Sequence, residues 1–164
     1  MAKQALLIID LQKVSYRGES AIQMDSAVEH IQAVLPLFRA KKLPIIWIQD
    51  MEEGEGVVPG TEPFELIPPL EPVEGDYRIV KTYSNSFTKT DLHDTLQREG
   101  VDTVVISGYC AEYCVTSTLV GAQDRDYAAI LYRGGIASGS KENLQAVEQA
   151  YDVVSYGALQ AWLK

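Results

Sequence analysis

Short apolar segments alternate with helical patterns along the whole chain, and no other feature restricts the fold as strongly. The segments predicted as β-strands are residues 4–10, 44–50, 77–81, 103–107, 128–132 and 152–156. Because parallel strands are joined by right-handed crossovers, this order predicts one α/β domain over residues 1–164. We expect a doubly wound, six-stranded parallel sheet with helices on both faces.

Apolar residues at helical spacing mark the segments between these strands. The first helix is expected from about Ser26, and Pro36 is expected to kink it or to interrupt its register. The other helices are expected after Thr90, over 115–125, after Ser138 or Ser140, and over 158–163. Residues 51–76 are rich in Gly, Pro and Glu without a clear period, so they predict a long loop near the strand ends, where such loops commonly serve a site.

The net charge of the chain indicates which kinds of binding partner are disfavoured. A net charge of -9 at pH 7 disfavours binding to nucleic acid or to an anionic membrane, because long-range repulsion opposes both. We therefore expect a small-molecule substrate. Exposed apolar helix surfaces of small α/β domains are commonly covered by a second subunit, so we also expect a homo-oligomer, a dimer or larger.

The cysteine count and the lengths of the apolar runs predict where in the cell the protein is located. Cys110 and Cys114 are the two cysteines, too few for a disulfide scaffold or a zinc site. The first residues lack the basic start and the apolar stretch of about 7 to 15 residues that define a signal peptide. No apolar run approaches the roughly 20 residues that span a bilayer. The expected location is the cytoplasm.

Three residues with ionisable or nucleophilic side chains lie where strands end. Asp10 ends the first predicted strand, Lys81 ends the third, and Cys114 lies between the fourth strand and the next helical pattern. Ligands collect at the carboxyl ends of parallel strands, and a helix N-terminus favours thiolate, so we expect the pKa of Cys114 to fall from about 8.5 to roughly 3.5–7.5. The three residues have the chemistry of a proton acceptor, an electrostatic helper and a nucleophile.

Three segments carry a resemblance to a known family. The segments LIIDLQ (residues 7–12), VKTYSNSF (80–87) and SGYCAEYCV (107–115) resemble, in order and spacing, the motifs of the isochorismatase-like cysteine hydrolases. The resemblance covers essentially the whole chain. It implies a Rossmann-like six-stranded sheet and a catalytic triad of Asp10, Lys81 and Cys114. It also implies a cis peptide bond between Tyr109 and Cys110, which directs the main-chain N–H groups of Cys110 and Cys114 toward a substrate oxygen.

The chain departs from one branch of that family. Members that act on nicotinamide hold a metal with an Asp-x-His and a further His after the second strand, whereas Asp50 is followed here by MEEGE (residues 51–55), without His. We therefore expect no metal and no cofactor, and we interpret the acids of this segment as solvated. Gln12, Phe87 and Tyr113 lie within the three motifs and are the expected substrate-binding residues.

The predicted function is that of a cofactor-free cysteine hydrolase. It acts on an amide or amide-like C–N bond of a small molecule through a thioester acyl-enzyme. Three alternatives stay open: hydrolysis of a non-amide bond such as an isochorismate-like ether, a non-catalytic ligand-binding scaffold, and a thiol redox protein that uses Cys110 and Cys114.

Overall fold

A parallel sheet of six strands forms the centre of the molecule in the computed structural model, which describes residues 2–164. The strands are β1 (Gln4–Ile9), β2 (Ile45–Asp50), β3 (Tyr77–Lys81), β4 (Thr103–Tyr109), β5 (Ala128–Ala137) and β6 (Val153–Val154). The α-helices are α1 (Gly18–Ala40), α2 (Leu92–Arg98), α3 (Thr116–Gln123), α4 (Lys141–Ala150) and α5 (Tyr156–Trp162). All strand pairs are parallel, in the order β3-β2-β1-β4-β5-β6. The predicted doubly wound α/β fold is confirmed.

Two hydrophobic cores lie on opposite faces of the sheet. Successive residues of β1 point to opposite faces, so Leu6 and Ile8 pack against α1 and α5, while Ala5, Leu7 and Ile9 pack against α2, α3 and α4. Every β1 residue is buried because helices cover both faces, which explains why the strand is continuously apolar rather than alternating.

The first helix is longer than the sequence predicts, and it continues past Pro36. It begins at Gly18 rather than near Ser26 and continues through Pro36 to Ala40. Pro36 lies on the exposed side of α1, while Leu35 and Phe38 stay buried against the sheet. The N–H that proline lacks is therefore missing on the solvent side, and packing of the apolar face holds the helix together.

The last third of the chain also differs in its boundaries. Strand β5 extends to Ala137 after a register shift against β4, whereas β6 contains only two residues. A π-helical turn, Ala111–Val115, precedes α3. Ser140 caps α4 by accepting a hydrogen bond from the Asn143 N–H, as one of the two predicted alternatives requires.

The strand order reverses direction between β1 and β4. Such a switch point leaves a crevice at the carboxyl ends of the two strands, because their following segments diverge to opposite faces. The 51–76 loop lies over this edge, where Gln12 forms an isolated antiparallel bridge with Leu66. Among residues 2–164, no helix combines the length and the apolar character needed to span a bilayer.

Gly108 allows β4 to pass close to β1 at this edge. Its φ of +120° is accessible to glycine and costly for other residues. A side chain there would overlap the main chain of Ile9, its partner in the strand register. The close approach brings the end of β1 next to the segment that follows β4.

Candidate active site

The structure brings Asp10, Lys81 and Cys114 together at the switch point. Lys81 Nζ lies 2.9 Å from Asp10 Oδ2 and 3.5 Å from Cys114 Sγ. It also lies 3.0 Å from Asp50 Oδ1. The Lys81 side chain has no exposed surface. One buried ammonium group therefore contacts two carboxylates and a thiol.

Strand register explains how residues distant in sequence meet here. Asp50 and Lys81 are direct partners at the ends of β2 and β3. Asp10 follows β1, and its N–H donates to the Ile48 carbonyl at 2.9 Å. Asp10 adopts a φ of +51°, a left-handed conformation uncommon for residues other than glycine and asparagine or aspartate. The sheet edge thus fixes the carboxyl group at the mouth of the β1–β4 crevice.

The pKa values of the three groups are shifted by burial and by one another. Burial raises the pKa of Asp10 to about 6, although the Lys81 ammonium group opposes the shift. Burial alone would lower the pKa of Lys81, but Asp10, Cys114 and Asp50 outweigh it and raise that pKa above its ordinary value. At neutral pH the site therefore holds an ammonium group beside an ionised Asp10.

The predicted low pKa of the Cys114 thiol is wrong for this structure. Burial and then the negative charge of Asp10 raise the pKa of Cys114 to about 12, against the lowering effect of Lys81. A helix end alone favours thiolate, but burial of the thiol and the carboxylate alongside favour the neutral form here. Cys114 is a neutral thiol with a carboxylate and an ammonium group in reach.

A cavity of about 620 Å³ opens above these groups. Asp10, Cys114, Gln12, Tyr109, Cys110 and Tyr113 all line it. The peptide bond between Tyr109 and Cys110 is cis. Tyr113 is 66% exposed and lies at the mouth. Of the residues that the sequence assigns to the site, these six line the cavity, and Lys81 lies against Asp10 and Cys114.

Gln12 holds the cavity wall together. Its Nε2 donates to the carbonyl oxygens of Asp50 at 3.0 Å and Phe64 at 2.9 Å, while its Oε1 accepts from the Asp50 N–H at 2.8 Å. All of these partners are main-chain groups of β2 and the following loop. Gln12 thus fastens the loop to the strand ends with most of its hydrogen-bonding capacity.

Phe87 does not line the cavity, so its expected place in the substrate site is wrong. It is 4% exposed and belongs to the core beneath α2 and α3. Its ring stacks on Tyr127, with centroids 5.9 Å apart, and the Arg125 guanidinium lies over it. Phe87 lies in the same sequence motif as Lys81, but the chain turns inward between the two residues.

Two acidic residues of the site were not identified from the sequence. Asp50 has the sequence position of a metal ligand in the family, whereas the structure places it beside Lys81 at the ends of two adjacent strands. Glu112 lines the cavity from the turn that carries Cys114. No sequence pattern marked Glu112, because its partners Ser138 and Asn143 come from a distant loop and helix. Within residues 2–164, no group of three or more His, Cys, Asp and Glu side chains is arranged to hold a metal ion.

Comparison with known proteins agrees with this fold. Residues 4–155 match the model of the Isochorismatase domain family. The chain is 33% identical to the uncharacterized isochorismatase family protein YddQ of Bacillus subtilis (strain 168) over 128 residues, which cover 75% of this chain and 71% of YddQ. An isochorismatase-like hydrolase from Alkaliphilus metalliredigens superposes with a TM-score of 0.89 at 29% identity and covers 98% of this chain and 99% of its own.

A second similar structure carries a specific activity in its name. N-carbamoylsarcosine amidase from Thermoplasma acidophilum superposes with a TM-score of 0.81 at 25% identity, covering 93% of this chain and 95% of that chain. Together with the family model, these relatives identify both the family and its reaction class. The chain belongs to the isochorismatase family and is a hydrolase.

Proposed function

We propose that this hydrolase cleaves a C–N bond of a small-molecule amide through a thioester on Cys114. The observation that carries the proposal is the contact of one buried ammonium group, Lys81 Nζ, with Asp10, Asp50 and Cys114 within 3.5 Å at the cavity. A neutral thiol needs a base and a stabilising charge to become a nucleophile, and both are present.

Asp10 is the base in this mechanism. Its Oδ1 atom is buried and accepts no hydrogen bond from the described residues, so it is free to take the thiol proton. With a pKa of about 6, Asp10 is mostly ionised at pH 7. The thiol of Cys114 loses its proton to Asp10 as its sulfur attacks the carbonyl carbon, and Lys81 offsets the charge on the sulfur.

The tetrahedral intermediate then places negative charge on the former carbonyl oxygen. We assign the main-chain N–H groups of Cys110 and Cys114 as its donors; the Cys110 N–H donates no hydrogen bond to another described residue. When the C–N bond breaks, the protonated Asp10 gives its proton to the leaving nitrogen. Asp10 next takes a proton from the water that attacks the thioester. When the C–S bond breaks, Asp10 returns this proton to the Cys114 sulfur and the acid product leaves.

An amide is favoured over an ether because a thiol beside a base attacks a carbonyl carbon, which an amide has and an ether lacks. The similar N-carbamoylsarcosine amidase is named for cleavage of such a bond. A redox role is disfavoured because Cys110 is buried, and its Sγ lies 3.1 Å from Glu112 Oε2, with which it forms a hydrogen bond. A scaffold without activity would have no need of a buried lysine between two carboxylates, which is costly unless each charge is compensated.

The experiment is a screen for ammonia release over a panel of small amides, followed by mass spectrometry of the quenched enzyme. The expected results are turnover of at least one amide, an acyl group on the peptide that contains Cys114, and a loss of about 1,000-fold or more in kcat/KM for Cys114→Ala. Circular dichroism checks that the variant is folded. Full activity of folded Cys114→Ala would disprove the covalent mechanism.

A further inference from the structure

We propose, on the basis of the amide hydrolysis above, that the preferred substrate carries a cationic group and that Glu112 is the residue that recognises it. The cationic group belongs to the part of the substrate that does not react. Glu112 is thus a specificity-determining residue, distinct from the groups that perform the chemistry.

Carboxylates outnumber cations around the cavity. The acidic residues on its lining are Asp10, Asp50, Glu52, Glu55 and Glu112. The cations are Arg17 on the lining and Lys81, which is shared between Asp10 and Asp50. A concave site lined by an excess of one sign concentrates ligands of the opposite sign.

Glu112 is a fixed anion without a cationic partner. Its Oε1 accepts from Asn143 Nδ2 at 2.9 Å, and its Oε2 accepts from Ser138 Oγ at 2.7 Å and Cys110 Sγ at 3.1 Å. All three donors are neutral, and no Lys, Arg or His of the described residues lies within ion-pair distance of it. Partial burial raises the pKa of Glu112, but these hydrogen bonds outweigh it and hold the pKa below its ordinary value. The carboxylate is therefore ionised, held in place and left for a ligand to neutralise.

The catalytic carboxylate lies on the same cavity lining as Glu112. Asp10 is 7% exposed, and its Oδ1 accepts no hydrogen bond from the described residues. In the proposed mechanism this oxygen receives the Cys114 proton, so it marks the reacting end of the substrate and not its charged part. Glu112 and Asp10 line the same cavity, so one substrate can contact both.

Arg17 is the group that opposes this assignment. It lies before the first turn of α1 and is exposed, so solvent screens its charge more than that of the half-buried Glu112. The two residues favour substrates of opposite charge. If Arg17 binds the substrate, an anionic substrate is preferred, and if Glu112 binds it, a cationic one is preferred.

The charge preference can be measured without knowing the substrate. Three thiol reagents of similar size, 2-aminoethyl, 2-hydroxyethyl and 2-sulfonatoethyl methanethiosulfonate, are cationic, neutral and anionic. Each transfers its thioalkyl group to the Cys114 sulfur and releases methanesulfinate, and mass spectrometry separates reaction at Cys114 from reaction at Cys110. Buffers contain EDTA, so that no metal ion masks the carboxylates.

We expect Cys114 to react with the cationic reagent about 10-fold or more faster than with the anionic one at low salt, after correction for their rates with a free thiol. Glu112→Gln should lower this ratio about 3- to 10-fold while the neutral reagent changes little. Glu112→Asp, which retains the charge, should restore most of the ratio. Glu29→Gln, an exposed position on α1 away from the cavity, is the matched control.

A panel of cationic, neutral and anionic amides of matched size links this preference to turnover. We expect the highest kcat/KM for the cationic amide and a selective loss of that preference in Glu112→Gln. Preference for anionic amides, lost in Arg17→Gln, would overturn the inference and leave the proposed hydrolysis intact. Cation-selective labelling of Cys114 without turnover of any amide would overturn the proposed function and leave the cation-selective cavity standing.

Discussion

At the scale of single residues, Lys81 determines the electrostatics of the site. Its ammonium group is buried between Asp10 and Asp50 and touches the Cys114 sulfur. Burying a charge without compensation is costly, so the lysine and the carboxylates stabilise one another. The same arrangement keeps Asp10 ionised near neutral pH although burial favours its protonated form.

The ionisation of Asp10 predicts how activity depends on pH. Its pKa is raised to about 6, so below pH 6 the base is protonated and cannot accept the thiol proton. We expect kcat/KM to rise about 10-fold per pH unit below pH 6 and to level off above pH 7. The pKa of Cys114, about 12, adds no further inflection between pH 7 and 9.

Asp10→Asn provides the control for this profile. Asparagine tolerates the left-handed backbone of this position, so the variant should fold while losing the base. We expect a loss of about 100-fold or more in kcat/KM and no inflection near pH 6. The same inflection in the variant would show that another group titrates there.

Replacing Lys81 by methionine should change both the rate and the pH profile. Lys81 lowers the pKa of Asp10, so its removal leaves burial unopposed and shifts the acidic inflection to higher pH. We expect a loss of about 100-fold or more in kcat/KM at pH 7, because the charge on the sulfur also goes uncompensated. Lys41→Met, at the exposed end of α1, removes the same charge far from the site and should leave the profile unchanged.

At the scale of elements, the hydrophobic pattern predicts where the strands lie better than it predicts where helices and strands begin and end. Strand β3 is found where the sequence predicts it, because Tyr77, Ile79 and Val80 favour a strand and loop residues precede them. The start of α1 was missed because Gly18–Asp25 lacks a strong apolar period, and packing of its later turns extends the helix backward. The extension of β5 to Ala137 was missed because Gly134 and Gly135 weaken strand propensity, which tertiary pairing overrides.

Gly108 gives a direct test of the close approach between β1 and β4. Ala at this position would adopt a φ of +120° and overlap the main chain of Ile9. We expect Gly108→Ala to lower the free energy of unfolding by about 3 kcal/mol or more, measured by chemical denaturation.

Gly157→Ala is the matched control for this substitution. Gly157 lies in α5 with open space around its Cα, so alanine should leave stability unchanged or increase it by up to about 1 kcal/mol. Equal effects of the two substitutions would contradict the assignment of Gly108 as the residue that sets the strand approach.

At the scale of the whole molecule, topology predicted the location of the site better than its chemistry. Strand ends meet at one edge of a parallel sheet, so Asp10, Lys81 and Cys114 could be placed together before any distance was known. The raised pKa of Cys114 could not, because it depends on burial and on the exact neighbour of the thiol. The place of Phe87 in the core and the contacts of Glu112 depend equally on how loops turn, which no local pattern encodes.

The expected homo-oligomer is the remaining prediction at this scale. Several large apolar side chains are exposed, among them Ile22 at 63%, Tyr113 at 66% and Trp162 at 43%. Covering such groups in a subunit interface is favourable at roughly 25 cal/mol per Å² of apolar surface. We expect light scattering during size-exclusion chromatography to give a mass of two or more times 18.1 kDa. Ile22→Glu should shift the mass toward the monomer if α1 forms the interface, and a monomer at all concentrations of the unaltered protein would refute the prediction.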